Sequence, residues 1–365
     1  MLSATPKSQE VEVSERVEEK ICEDRISALP NDLLVHILLF VPTKDVVATM
    51  ILSKRWQPIW TAVPRLEYND IREINNAEKE SVWFFLDKSL HLHKAPILER
   101  LCIRLGESCP IDADVTKWVA NAVDRCVREL VFELEWSAKP TSMPHSLYTC
   151  ETLIELKLSQ KVLLDVPSSA CLPSLTKLFL CHVVYKDEVS ITRLLSSCPV
   201  LKMLLVYRLS QEDDNVKTYS VKVPSLDEFR YINARSHGNE SGQSSVVIDC
   251  PALTYIFMHD TSGDSCSIGK MPHLEQMSEN VPLLWSKPDH VPKCLETHLE
   301  VFKIISYEGG KEEKEFVEYM LANSRCLKEA EILLSGYTSL EEDKKMIQEL
   351  NSMFKISPSC RLTFY

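Results

Sequence analysis

Glycine is scarce in this chain, eight residues in 365, about 2% where soluble proteins average roughly 7%. None of Gly106, Gly238, Gly242, Gly263, Gly269, Gly309, Gly310 and Gly336 falls into G-x-G-x-x-G, the phosphate-loop spacing or G-x-S-x-G. Nucleotide binding and serine hydrolysis therefore lack the backbone chemistry they usually rest on. Blocks of Lys and Arg are absent too, with 41 basic against 53 acidic residues and a net charge of -12. A chain of that sign is poorly suited to displace counterions from duplex nucleic acid or to lie on an anionic membrane. No apolar run approaches the ~18 residues of a membrane helix. There is no C-x-x-C pair among thirteen cysteines scattered from Cys22 to Cys360, the pattern of a reduced, intracellular chain rather than a disulfide framework. Residues 1–24 carry seven acids and three bases, with few large apolar residues and no aromatic, and read as an acidic disordered tail. The expected location is cytoplasm and/or nucleus.

From Leu29 the texture changes. Leu33, Leu34, Ile37, Leu38 and Val41 draw an apolar stripe at helical spacing, with Pro30, Asn31 and Asp32 in the first turn. Pro42 stops that helix, Thr43 is placed to cap the next, and Val46, Val47, Met50 and Ile51 mark its buried face. Trp56 and Trp60 follow one turn apart. This stretch, LPNDLLVHILLFVPTKDVVATMILSKRWQPIW, resembles the F-box motif along its whole core. The resemblance implies three short helices that dock on a Skp-type adaptor of a cullin-RING ubiquitin ligase, through Leu29, Pro30, Leu33, Leu34, Ile37, Leu38, Val46, Ile51, Leu52 and Trp56. About forty residues this rich in aliphatics cannot bury all of them internally, which independently calls for a partner surface. Lys54 and Arg55 read equally well as solvated surface.

A helix from about Asn76 to Leu92 follows, with Val82, Phe85, Leu86, Ser89 and Leu90 on one side. Then a repeat begins. Leu98-Leu101-Ile103, Val127-Leu130-Phe132, Leu153-Leu156-Leu158, Leu175-Leu178-Leu180, Leu201-Leu204-Val206, Leu226-Phe229-Tyr231 and Leu253-Ile256-Met258 start 29, 26, 22, 26, 25 and 27 residues apart. That period with one short strand per unit is the signature of leucine-rich repeats, whose units stack into a curved solenoid because none can complete its core alone. Asp114 to Val123 and Asp187 to Ser197 read as intervening helices. Cys150, Cys198 and Cys250 recur before strands as small buried side chains. The pattern weakens at Leu274-x-x-Met277, where Glu279 takes an apolar strand position, and Tyr231 to Ser245, with its Asn, Ser, Gly and Gln, reads as a mobile loop rather than a repeat core.

The C-terminal sequence from Trp285 resembles the FBD domain that closes many plant F-box and leucine-rich-repeat proteins, on the islands Pro292-Lys293-Cys294, Ser324-Arg325-Cys326-Leu327 and Ser359-Cys360-Arg361-Leu362-Thr363-Phe364. Leu299-Phe302-Ile304 and Leu327-Ala330-Ile332 continue the repeat phase, helices are expected near Lys311 to Asn323 and Glu341 to Phe354, and Arg361 to Tyr365 supplies a last strand. The expected fold is α/β: an N-terminal three-helix F-box, a curved leucine-rich-repeat solenoid and a C-terminal α/β FBD cap. Boundaries fall at 1–24, 25–65, 75–284 and 285–365. The repeats are short for the family, since only a handful of residues bridge Met277 to Trp285.

Catalysis has little to stand on. His91-x-His93 lacks a spaced acid or cysteine, Asp112-x-Asp114 reads as a helix cap, Asp213-Asp214 sits in a polar stretch, and Cys181-His182 has no oxyanion hole by spacing. No enzyme activity, metal or cofactor is expected. Recognition has more: with Leu178 and Leu180 inward, strand parity turns Phe179 outward, and likewise Leu205, Tyr207, Arg230, Tyr255 and Phe257. These are the expected target-binding residues on the concave face. The reading is a non-catalytic substrate receptor of an SCF-type ubiquitin ligase, bound through the adaptor to cullin, with an unidentified target protein. The alternative is a repeat scaffold that binds a protein without delivering it for ubiquitination.

Overall fold

The computed structural model describes residues 25–26, 28–69, 82–106, 109, 114–135, 140–208, 216–234, 245–260, 265–268, 271–279, 290–336 and 339–365. The acidic tail, the start of the helix expected from Asn76, Asp112, Asp213, Asp214, residues 235–244 and Trp285 lie outside them.

At the N-terminus, helices span Asn31–Leu38, Thr43–Ala48 and Trp56–Ile59, with tight turns at Thr49–Ile51 and Trp60–Ala62. Pro30 and Pro42 stand immediately before the first two, where a ring-fixed φ near -60° costs no helical hydrogen bond. Thr43 is therefore the first helical residue rather than the cap. Its Oγ1 instead accepts from the Glu67 backbone N–H at 2.7 Å. These helices enclose a small core of their own, Leu34, Leu38, Val46, Trp56, Ile59, Trp60 and Val63.

Twelve strands form one parallel sheet in which spatial order follows chain order. Seven coincide with the repeat triplets: Arg100–Leu105, Glu129–Leu134, Glu155–Ser159, Lys177–Cys181, Met203–Arg208, Glu228–Asn233 and Tyr255–Asp260. In the fourth unit Leu175, Leu178 and Leu180 are all fully buried, as the repeat requires of its inward positions. An earlier strand, Arg65–Asn69, pairs with Arg100–Leu105 and was not expected. Its signal is only Leu66-x-Tyr68, too short to register as a repeat. The weak unit also holds: Gln276–Glu279 pairs with Tyr255–Asp260 on one side and Val301–Tyr307 on the other. Pairing there is carried by backbone groups, which a single unfavourable side chain does not remove. Glu329–Leu334 and Arg361–Phe364 complete the sheet, so the strands of the C-terminal region extend those of the repeats without a break.

The return segments form a second layer. Helices Val82–Leu92, Val115–Asp124, Glu188–Ser196, Lys311–Asn323 and Leu340–Ser352 lie in it, together with two three-stranded parallel sheets. These small sheets, Thr141–Ser142 with Val162–Leu164 and Val184–Tyr185, and Thr218–Val221 with Ser245–Ile248 and Ser265–Ile268, were not foreseen because two to four residues carry too little periodicity. Asp114 caps its helix as expected, accepting from Lys117 N–H. Cys150, Cys198 and Cys250 are buried, with thiols directed at the carbonyls of Val127, Leu194 and Val221. One continuous cluster of buried side chains runs from Leu66 to Cys360. Among the described residues no helix is long and apolar enough to cross a membrane.

The N-terminal helices are joined to the sheet by several bonds. The N–H groups of Lys94 and Ala95 both donate to Thr61 O, at 2.9 and 2.8 Å. His93 Nε2–H donates to Val63 O at 2.8 Å, while Arg125 donates to His93 Nδ1 and to Ala95 O. Tyr68 and Ser89 share a buried hydroxyl pair at 2.7 Å, and burial pushes the Tyr68 phenol up to about 12.

Candidate interaction surfaces

The helical face comes first. Of the ten residues assigned to it, Leu33, Ile37, Ile51 and Leu52 present large apolar surface, Ile51 being 86% exposed. Pro30 is exposed and Leu29 half-buried. Leu34, Leu38, Val46 and Trp56 are corrected: they are buried in the core of the helices themselves and offer no surface to a partner. The reason is geometric. A helix with apolar residues at i, i+1, i+4 and i+5 has two candidate faces, and here the Leu34/Leu38 side turns inward while the Leu33/Ile37 side remains outside. Phe40, 81% exposed, and Met50 join the outer set and were missed. Phe40 lies off the helical stripe, and Met50 was read as inward. Arg55 is not idle surface. Its guanidinium donates to Asn31 Oδ1 at 3.0 and 3.1 Å and also to Leu29 O, bracing the start of the first helix. Beside these residues an open groove of about 870 Å³, lined by Met50, Ile51, Lys54, Pro58, Trp60 and Leu92 among others, reaches the joint with the sheet.

The second surface is the side of the long sheet turned away from the core. Parity places every assigned residue there: Phe179, Leu205, Tyr207, Arg230 and Phe257 are each half-buried between buried neighbours, and Tyr255, half-buried too, opens its strand just before buried Ile256. Registers align them in rows. Lys157, Phe179, Leu205, Arg230 and Phe257 are successive partners across five strands, and Cys181, Tyr207, Ile232 and His259 form the next row. Arg230 lies 5.3 Å from the Tyr255 ring centroid and bonds Glu228 at 2.5 Å, so its charge is compensated within the band.

Charge pairs border this apolar band. Toward the N-terminal strands Arg104 bridges Glu67 and Glu133, each at 3.3 Å, and Arg100 pairs with Glu129 at 2.7 Å. Cys102 and Val131, though on the outer side of the sheet, are buried beneath this layer. Toward the C-terminal strands Lys303 pairs with Glu331 at 2.7 Å. The half-buried apolar side chains of the central strands thus lie between these paired charges, and Val301, Ile305 and Leu333 on the C-terminal strands are half-buried as well.

Nothing here activates a nucleophile. Burial pushes the Cys181 thiol up, the reverse of what a reactive thiolate needs, and burial pushes the His182 imidazole down. Among the described residues no three His, Cys, Asp or Glu side chains gather as a metal site.

Comparison with known proteins adds three family matches. Residues 26–68 match the F-box domain, residues 115–279 the LRR repeats of the FBD-associated F-box protein At5g56370, and residues 287–332 the FBD model. Among curated proteins of Arabidopsis thaliana, the FBD-associated F-box protein At1g05080 is 40% identical over 440 aligned positions covering 96% of this chain and 99% of the relative. The F-box/FBD/LRR-repeat protein At3g49480 is 38% identical over 96% of this chain and 98% of the relative, and At1g22000 is 39% identical over 99% and 94%. An alignment of 440 positions against a 365-residue chain means that the relative carries residues with no counterpart here.

Proposed function

The chain belongs to the F-box/FBD/LRR-repeat proteins, and on that premise we propose that it is the target-receptor subunit of an SCF-type ubiquitin ligase in cytoplasm and/or nucleus. Residues 25–65 act as a three-helix F-box that holds a Skp-type adaptor and through it cullin. Residues 75–284 form a curved solenoid whose open side is concave and holds the target. Residues 285–365 are the cap. The observation that carries this reading is the apolar surplus of the helices: Leu33, Ile37, Phe40, Ile51 and Leu52 stay exposed after the core beneath them is filled, and such a patch is costly in water unless a partner covers it. The chain supplies no chemistry of its own. The conjugating enzyme carries the ubiquitin thioester, and the receptor raises its effective concentration at a target lysine.

The test is adaptor capture by the full chain and by an Ile51→Glu/Leu52→Glu variant. Capture by the wild type alone supports the reading; equal capture by both, or none by a well-folded wild type, overturns it. The second reading, a scaffold that binds without delivering, draws on the residues that the longer relatives have and this chain lacks. Adaptor binding without adaptor-dependent turnover of any bound protein supports that alternative.

A further inference from the structure

We propose that the acidic segment 10–24 of this same chain seats in the groove at the joint between the helices and the sheet and, resting on the reading that those helices hold an adaptor, must leave before the adaptor binds. The groove combines two features. Its apolar part is Met50, Ile51, Pro58 and Leu92, of which Ile51 and Leu92 are 86% and 57% exposed. Its charged part is Lys54, from the helical unit, and Lys94, from the segment after Val82–Leu92. Both side chains are exposed, and Lys94 is fixed beside the helices by its N–H, which donates to Thr61 O at 2.9 Å. Among the described residues neither lysine has an ion pair. An occupant complementary to both parts is acidic and carries aliphatic side chains at short intervals.

Residues 10–24, which lie outside the described residues, have that composition. They hold seven acids against two bases, and Val13, Val17 and Ile21 recur every fourth position with Glu15, Glu18 and Glu19 among them. In a chain of net charge -12, two lysines without acidic partners beside exposed aliphatics attract such a segment where most of the surface repels it. The segment also starts close enough. Arg55 donates to Leu29 O and to Asn31 Oδ1, so the chain enters its first helix one arginine side chain away from the residue next to Lys54. The eight residues from Ile21 to Leu29 span up to about 27 Å when extended, which exceeds that separation. So short a tether raises the effective concentration to the order of 1 mM. Met50 and Ile51 belong both to the groove and to the exposed apolar set of the helices, so the segment and an adaptor exclude one another there.

The test is carbodiimide coupling of the full chain, which joins carboxylates to lysines in direct contact, mapped by peptide mass spectrometry over a dilution series. Lys54 and Lys94 should be linked to acids of segment 10–24, at a yield that dilution leaves unchanged and about 1 M salt reduces. Its companion is the full chain carrying Glu15→Lys, Glu18→Lys and Glu19→Lys, with secondary structure checked. That variant should capture a Skp-type adaptor about fivefold more tightly, as the loss of two exposed ion pairs of ordinary strength implies. Absence of these links on a folded chain overturns the inference, and so do links that vanish on dilution, which assign the groove to the segment of a second copy. Links formed with equal adaptor capture by the two chains overturn the competition and leave the adaptor reading standing. Links formed while neither chain captures adaptor support the segment's seat and overturn the adaptor reading.

Discussion

His93 carries the joint between the helical unit and the sheet, and its protonation state is set by its surroundings. Burial, then the Arg125 guanidinium, push the imidazole down from 6.5 to about 4, although the Val63 carbonyl pulls the other way. The unfolded chain therefore binds more protons between those values, so this residue's contribution is complete above pH 6.5 and is lost as pH falls through about 4. The size is at most about 3 kcal/mol. His93→Gln, which keeps a donor for the Val63 carbonyl, should flatten part of the stability-versus-pH curve in that window; identical curves for the two proteins would remove His93 from the joint. Trp56 tests the other side. It is buried against Leu34 and Leu38 rather than facing a partner, so Trp56→Ala should cost about 3 to 5 kcal/mol of stability in denaturant unfolding. A variant of native stability that merely lost adaptor capture would mean that the burial is misread.

At the scale of elements, the last helix shows how termini are held. Ser339 and Glu342 form a reciprocal capping box, with Ser339 N–H donating to Glu342 Oε2 at 2.9 Å and Glu342 N–H to Ser339 Oγ at 3.4 Å. These bonds hold the Glu342 carboxyl below the usual carboxylate range. Ser339→Ala should destabilise the helix by about 1 kcal/mol, read as faster amide exchange in its first turn with the sheet unaffected. The earlier helix Lys311–Asn323 begins differently: Gly309 has φ +76° and a Cβ there would meet Met346 Sδ at 2.7 Å. Gly309→Ala is thus expected to destabilise more than Ser339→Ala, since strain and overpacking act together. The Gln276–Glu279 strand was the element whose sequence was weakest, and it forms because pairing on both edges does not depend on side-chain identity.

On the scale of the whole molecule, the twelve strands each meet mainly their sequence neighbours, so stability accumulates along the chain as a near one-dimensional array. A chain truncated after residue 289 should present the Gln276–Glu279 strand as a bare edge and expose the apolar neighbours of Phe302. Aggregation of that truncation in size-exclusion chromatography is expected; a monomeric, cooperatively melting product would show that the cap is dispensable to the fold. The helical unit, with its own small core, is expected to keep adaptor capture in either case.

The chain's own order of residues determined where the repeat strands lie and which side chains point inward, because a period of two within a strand and of about 26 between strands is a local property that survives any packing. Phe179, Leu205, Tyr207, Arg230, Tyr255 and Phe257 were legible for that reason. Two matters were decided only by the tertiary structure. The helical stripe was wide enough to face two ways, and what packed beneath it chose Leu34 and Leu38 over Leu33 and Ile37. Ion pairs between residues some thirty positions apart closed over Cys102 and Val131.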